Sequence, residues 1–218
     1  MVNVLGIDEA GRGPIIGSLF IAGVLAEEKD LSKLKALGVK DSKLLSHKRR
    51  IELAKDIKKI AKKYKIIQIK PEEIDKAVNR DHGLNLNWLE AHKTAQIINE
   101  LKPNKAIVDC PSPNIKKYKD YLLRLLDNKK IELIVEHKAD KNFVACASAS
   151  IIAKVEREEE IENIKKKYGK IGAGYLTHPD TQKFLKENWD KHPEIFRKSW
   201  VSWSNAKKEK EQKKLEEY

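Results

Sequence analysis

Disulfides, membrane spans and flexible linkers are what this sequence does without. Its 218 residues include two cysteines, Cys110 and Cys146, too few for a disulfide framework and lacking the CxxC or Cys/His spacing of a zinc site. They read as buried thiols. No apolar run reaches the about 18 residues that a membrane-spanning helix needs. The first residues carry neither a basic stretch nor a cleavage-like site, so a cytoplasmic protein with no membrane association is expected. Methionine occurs once while Lys, Glu and Ile are abundant, a bias of proteins from hot environments. No internal repeat and no Gly/Ser-rich stretch marks off an independent second domain.

Charge is what the chain has in excess. Charged side chains make up 36% and hydrophobic ones 40% of the residues, enough for one core of ordinary single-domain size. Lys and Arg number 45 against 33 acids, a net charge of +12, which favours a polyanionic partner such as nucleic acid. The same balance also suits a Lys-rich solvated surface.

Apolar periodicity alternates along the chain. Residues 2–8 and 19–26 are short, β-branched and bounded by glycines, and read as strands joined by a Gly-Pro turn. Ser46 is placed to cap a basic helix over 47–64, in which Ile51, Leu53, Ala54, Ile57 and Ile60 share a face. A strand is expected over 64–70, a helix over 84–101, a strand ending in Asp109, a helix over 114–126 and a strand over 131–140. A long helix from Phe143 follows, small and apolar at first and charged later, and Gly169 ends it. Strands in succession, then strand and helix in turn, predict an α/β fold with a mixed central sheet flanked by helices. The remainder is polar and helical, and from Lys207 it forms a charged tail. The expected organisation is a main domain over 1–170 and a C-terminal helical extension over 171–218.

Three of the strand ends finish in acid: Asp8 with Glu9, then Asp109, then Asp140. Acids at the carboxyl ends of neighbouring strands converge on one crevice and need cations to relieve their repulsion. Hard oxygen donors select magnesium or manganese, and four of them suit a pair of ions that hydrolyses phosphodiesters. Each acid also has a plainer role: Asp109 as a turn residue and Asp140 as a helix cap. Asp8-Glu9 resists that account, because consecutive strand residues point to opposite faces. His137 and His178 lack ligand spacing, which argues against zinc and leaves them as ordinary polar residues. Gly11-Arg12-Gly13 lets backbone amides approach a ligand and adds a planar donor fork for phosphate. A hairpin turn with a solvated arginine would look the same.

The blocks IDEAGRGP, DSK, IVDCPS, EHKADKNF followed by ASASIIAKVERE, and GAGYLTHPDT occur in that order between Gly6 and Thr181. The series resembles the type 2 ribonuclease H family, specifically ribonuclease HII. The resemblance implies an RNase H-like core with a C-terminal helical extension. It implies hydrolysis of RNA in RNA:DNA hybrids and cleavage 5′ of ribonucleotides embedded in duplex DNA, with two Mg2+ or Mn2+ ions and with 5′-phosphate and 3′-hydroxyl products. Matched position by position, Asp8, Glu9, Asp109 and Asp140 fall on the metal-binding catalytic acids. Gly11, Arg12 and Gly13 fall on the loop that contacts the ribose 2′-hydroxyl and its phosphate, Tyr175 on the tyrosine that completes ribonucleotide recognition, and Ser42 and Lys43 on backbone-contacting positions. The 2′-hydroxyl is the group that separates RNA from DNA at a site. The chain departs from the usual pattern at Ser18 and Leu176, where proline is common, and at Ala173, where serine is common.

Two other readings are weighed against this one. A non-catalytic nucleic-acid-binding module would use the same basic surface with the acids as caps and turns, and would bind without magnesium. Ribonuclease HIII normally carries an additional N-terminal domain, whereas the first acid-bearing strand here starts at residue 2. The resemblance further implies a monomer. Docking of the tail to a sliding clamp is a further expectation, although KKLEEY lacks an apolar-aromatic anchor.

Overall fold

The computed structural model describes residues 2–39 and 45–216. Strands β1 (Asn3–Ala10) and β2 (Leu19–Glu27) pair antiparallel, from Asn3 opposite Glu27 to Ala10 opposite Phe20. Helices α1 (Leu31–Ala36) and α2 (His47–Ile60) precede strand β3 (Lys63–Ile69). The hydroxyl of Ser46 caps α2, accepting from the Arg49 amide. Helix α3 (Pro71–Val78) opens with Pro71 in its first turn beside Glu72 and Glu73, a helix-start signature in a segment for which periodicity gave no element. Then come α4 (Leu86–Leu101), β4 (Lys105–Asp109), α5 (Ile115–Leu125), β5 (Glu132–Glu136), α6 (Ala139–Asn142), α7 (Val144–Tyr168), α8 (Pro179–Asn188) and α9 (Val201–Glu216).

The five strands form one sheet in the order β3-β2-β1-β4-β5, with β1, β4 and β5 mutually parallel. The mixed sheet with flanking helices is therefore as expected. Several boundaries differ: β1 runs on to Ala10 rather than 8, and α2 ends at Ile60 rather than 64, because Ala61 turns extended. The last strand stops at Glu136 rather than 140, because Lys138 turns the chain with a left-handed backbone, φ 60°. The long helix is preceded by the separate turn α6, since Phe143 is extended and breaks the run.

Alternation along β1 sets the two faces. Leu5 and Ile7 point to one face, toward the Ile97 side of α4; Val4, Gly6 and Asp8 point to the other, where α7 lies. Helix α7 approaches so closely that a Cβ on Gly6 would sit 2.0 Å from the backbone carbon of Ala145. Only glycine on the strand and small residues on the helix, here Ala145, Cys146, Ala147 and Ala149, permit that contact. The first half of α7 also packs with Phe20, Ala22 and Val24 of β2 and with Leu53, Ala54 and Ile57 of α2.

The chain packs as two compact units. The first comprises residues 1–10, 20–68 and 86–156, and the second 11–19, 69–85 and 157–218. The core of the second unit joins Ile15 and Ile16 to Ile161, Ile171, Phe184, Leu185, Ile195 and Phe196, and Trp189, Trp200 and Trp203 pack against it. Among the described residues, no helix is long and apolar enough to cross a membrane.

Candidate active site

Register brings the acids of the first unit together. Ile7 lies beside Val108 in the parallel β1/β4 pair, so Asp8 and Asp109, one residue on, finish side by side on the face toward α7. Asp140 comes from α6, reached by the turn after β5. One carboxylate oxygen from each of Asp8, Asp109 and Asp140 lies within 4.8 Å of the others. They line an open cavity of about 470 Å³ together with Glu9, Cys110, Ser112, His137, Ser150 and Lys154.

Hydrogen bonds orient the cluster. The Glu9 amide donates to Asp8 Oδ1 at 2.7 Å, and the Ser150 hydroxyl on α7 also donates to Asp8. The Lys138 amide donates to Asp109 Oδ1 at 2.9 Å, and the left-handed backbone of Lys138 is what aims it there. Burial raises the Asp8 carboxyl to a pKa of about 7, with the Asp109 and Asp140 charges pushing the same way. Asp109 is also raised, first by burial and then by Asp140. Acids held this close with oxygen donors alone suit a hard divalent cation, whose charge would return both groups to the ionised form.

Glu9 lines the same cavity but stands outside the tight trio. Strand β1 continues through both acids to Ala10, so Glu9 points to the opposite face from Asp8, and its charge acts on Cys110 and Tyr118. His137 Nε2 lies 2.8 Å from the Ser112 carbonyl, and His178 caps α8 by accepting from the Asp180 amide; both have structural roles. The two thiols are free and buried, Cys110 Sγ against the Ser112 carbonyl at 3.4 Å and Cys146 Sγ against the Ile107 carbonyl at 3.2 Å.

Gly11, Arg12, Gly13 and Tyr175 belong to the second unit, where they form a cluster of their own. A Cβ on Gly13 would lie 3.8 Å from the Tyr175 ring. Gly11 has φ +90°, and a Cβ there would meet the Ser18 carbonyl at 2.8 Å and Arg157 Cδ at 2.9 Å, so the position admits only glycine. Arg197, fully buried, holds the loop from beneath: Nε donates to the Gly17 carbonyl at 3.0 Å, Nη1 to the Arg12 carbonyl at 2.7 Å and Nη2 to the Gly11 carbonyl. Trp200 Nε1 donates to the Gly13 carbonyl at 3.2 Å. Burial, and secondarily Arg157, lowers the Arg197 pKa to about 10, so it stays charged at neutral pH. The Arg157 guanidinium stacks 4.7 Å from the Tyr175 ring centroid and donates to the Ala173 carbonyl at 2.6 Å. At Ser18 both the amide and the hydroxyl donate to the Glu160 carboxylate; a proline would forfeit both hydrogen bonds, having neither the N–H nor the hydroxyl.

Ser42 and Lys43 lie outside the described residues. Sequence reasoning assigned no role to Ser150, Lys154, Arg157, Glu160 or Arg197. The spacing of Ser150 and Lys154, one helical turn apart in a small-residue run, was the one available signal; Arg157 and Arg197 sit in charged stretches that look solvated.

Carboxylates converging beside the carboxyl ends of parallel strands, with no His or Cys in the cluster among the described residues, fit the active site of a metal-dependent hydrolase. The sequence matches the ribonuclease HII family over residues 5–203. A ribonuclease HII from Methanococcus maripaludis is 44% identical over 219 residues, covering 97% of this chain and 90% of the relative. The crystal structure of the ribonuclease H2 from Pyrococcus horikoshii OT3 superposes with a TM-score of 0.87 at 36% identity, covering 95% of this chain and 98% of that one. A chain of the PCNA:RNase HII complex from Archaeoglobus fulgidus does so with 0.81 at 40% identity, covering 93% and 96%. The chain belongs to the ribonuclease HII family. Its fold is RNase H-like, and its activity is that of a ribonuclease H, a metal-dependent nuclease acting on RNA:DNA hybrids.

Proposed function

We propose that the protein cuts duplex DNA on the 5′ side of embedded ribonucleotides as well as RNA within hybrids, leaving 5′-phosphate and 3′-hydroxyl ends, with Asp8, Glu9, Asp109 and Asp140 as the catalytic acids holding two Mg2+ or Mn2+ ions. The observation that carries the reading is the convergence of Asp8, Asp109 and Asp140 within 4.8 Å. Bound there, two divalent ions would activate the attacking water and stabilise the leaving oxygen. The residues of the chain prepare the site: the Ser150 hydroxyl and the Glu9 amide orient Asp8, and the Lys138 amide orients Asp109. Gly11, Arg12 and Gly13, held by Arg197 and Trp200, and the Tyr175 phenol contact the ribose 2′-hydroxyl and its phosphate; Ser42 and Lys43 contact the backbone. The 2′-hydroxyl is a recognition handle here and not the nucleophile, so no 2′,3′-cyclic phosphate forms.

The protein works in this reading as a cytoplasmic monomer. The likeness to a ribonuclease HII structurally described with PCNA supports docking on a sliding clamp, which a pull-down with and without residues 207–218 would test. The primary test is a DNA duplex carrying one ribonucleotide, incubated with magnesium and mapped for the cut, with Asp109→Asn alongside. Cleavage at the 5′ side, lost in the variant, is expected. Cutting restricted to runs of several ribonucleotides would overturn the recognition role of Gly11–Gly13 and Tyr175, and a cyclic phosphate product would overturn the hydrolytic mechanism.

A further inference from the structure

Two ammonium groups interrupt the acidic wall of the cavity, Lys138 and Lys154. Lys138 is exposed, and its backbone, not its side chain, serves Asp109. Lys154 is placed differently. It is half-buried on the rigid helix α7, and its Nζ donates to Ser150 Oγ at 2.9 Å. Ser150, 1% exposed, donates on to Asp8. A lysine, a serine one turn away and a buried carboxylate thus form one hydrogen-bonded line running into the acid cluster.

Charge balance gives this lysine a task. On the two-ion reading proposed above, four carboxylates and two divalent ions cancel. Attack by a water whose proton passes to bulk solvent gives the phosphodiester a second negative charge as the transition state forms, and the acids and ions, neutral as a set and engaged with the attacking and leaving oxygens, leave that net charge uncompensated. We propose that Lys154 is a catalytic residue of this hydrolysis: its ammonium meets a non-bridging oxygen of the scissile phosphate and balances the charge that develops there. A purely structural role would differ in its consequences. A lysine that merely neutralises Asp8 through Ser150 competes with the metal, so its removal would tighten metal binding and leave the rate intact.

The experiment compares the full chain with Lys154→Met and Lys154→Arg. It measures kcat and KM on a hybrid duplex at saturating magnesium, Mn2+ binding to the substrate-free protein by calorimetry, and thermal melting. Lys154→Met is expected to lower kcat about 100-fold while KM and Mn2+ affinity stay within about threefold of the wild type, and Lys154→Arg to recover at least about a tenth of the wild-type rate. Wild-type kcat in Lys154→Met would overturn the Lys154 assignment alone. So would a rate loss that tracks weakened Mn2+ binding or a collapsed melting transition. A wild-type chain that shows no magnesium-dependent cutting would overturn this proposal together with the reading beneath it.

Discussion

Without a cation the Asp8 carboxyl keeps its proton up to about pH 7, whereas in an unfolded chain it would lose it at about pH 3.9. The folded state binds that proton more tightly, so the contribution to stability is fully present below about pH 4 and is lost as the pH rises through 7. Asp8→Asn abolishes the penalty. In EDTA at pH 8 the variant is expected to exceed the wild type by on the order of 4 kcal/mol, and its melting temperature should fall less between pH 5 and 8 than that of the wild type, any remaining decline coming from Asp109, whose carboxyl is also raised. Melts across that range check this, and a wild-type profile that is flat would contradict it. Magnesium should reverse the ranking, since only the wild type gains from binding it. Asp8 and Asp109 were legible from sequence because an acid that closes an apolar strand lands beside the ends of its neighbours, where its charge needs a counterion. Ser150 and Lys154 were not, because their meaning comes from which carboxylate α7 places them against.

At the level of elements, two close contacts set the geometry. Gly6 lets α7 lie on β1, which brings Ser150 to Asp8; the arginine fork of Arg197 holds the three carbonyls of Gly11, Arg12 and Gly17. A lysine offers no planar fork and cannot reach all three acceptors. Arg197→Lys is therefore expected to cost about 2–4 kcal/mol, from buried carbonyls left unpaired, and to reduce cutting at a single embedded ribonucleotide more than cutting of a long hybrid. Urea unfolding and the ratio of the two rates would measure it, and an unchanged ratio would rule out a positioning role for Arg197. The elements themselves were largely readable, since β1 is a short β-branched run, α2 has its Ser46 cap, α4 stops short of Pro103, and α7 is a long small-then-charged run that Gly169 ends. Helix α3 escaped because after its start signal, Pro71 with Glu72 and Glu73, it offers only Ile74, Ala77 and Val78, too short a run for a periodicity to show. The end of β5 was misplaced because the left-handed turn at Lys138 rests on a non-glycine residue, held there by the Asp109 carboxylate.

For the molecule as a whole, the positive charge is unevenly distributed. Residues 48–63 hold eight cations against two acids, while residues 207–218 hold five against four. The first stretch and not the tail should therefore dominate binding to duplex phosphates. Replacing the exposed Lys48, Lys55 and Lys63 with glutamine is expected to flatten the plot of log affinity against log salt by about 0.9 for each phosphate no longer neutralised. Removing the tail should change that slope by less, and an equal change would refute the ranking. Composition revealed this charge, but not that residues 11–19 and 69–85 join residues 157–218 in a second compact unit, because no linker or change of pattern announces a unit assembled from three separate stretches.

Both thiols belong to the acid-bearing unit, Cys146 under Gly6 and Asp8 and Cys110 next to Asp109, and both are buried and protonated, their pKa raised by desolvation. Cys110 lines the open cavity beside the acids, whereas Cys146, with no exposed surface, is reached by a thiol reagent in the surrounding water only when that unit opens. The protein therefore carries its own clock: the rate at which Cys146 is labelled counts the openings of the unit, and any ion that settles among the acids slows the count.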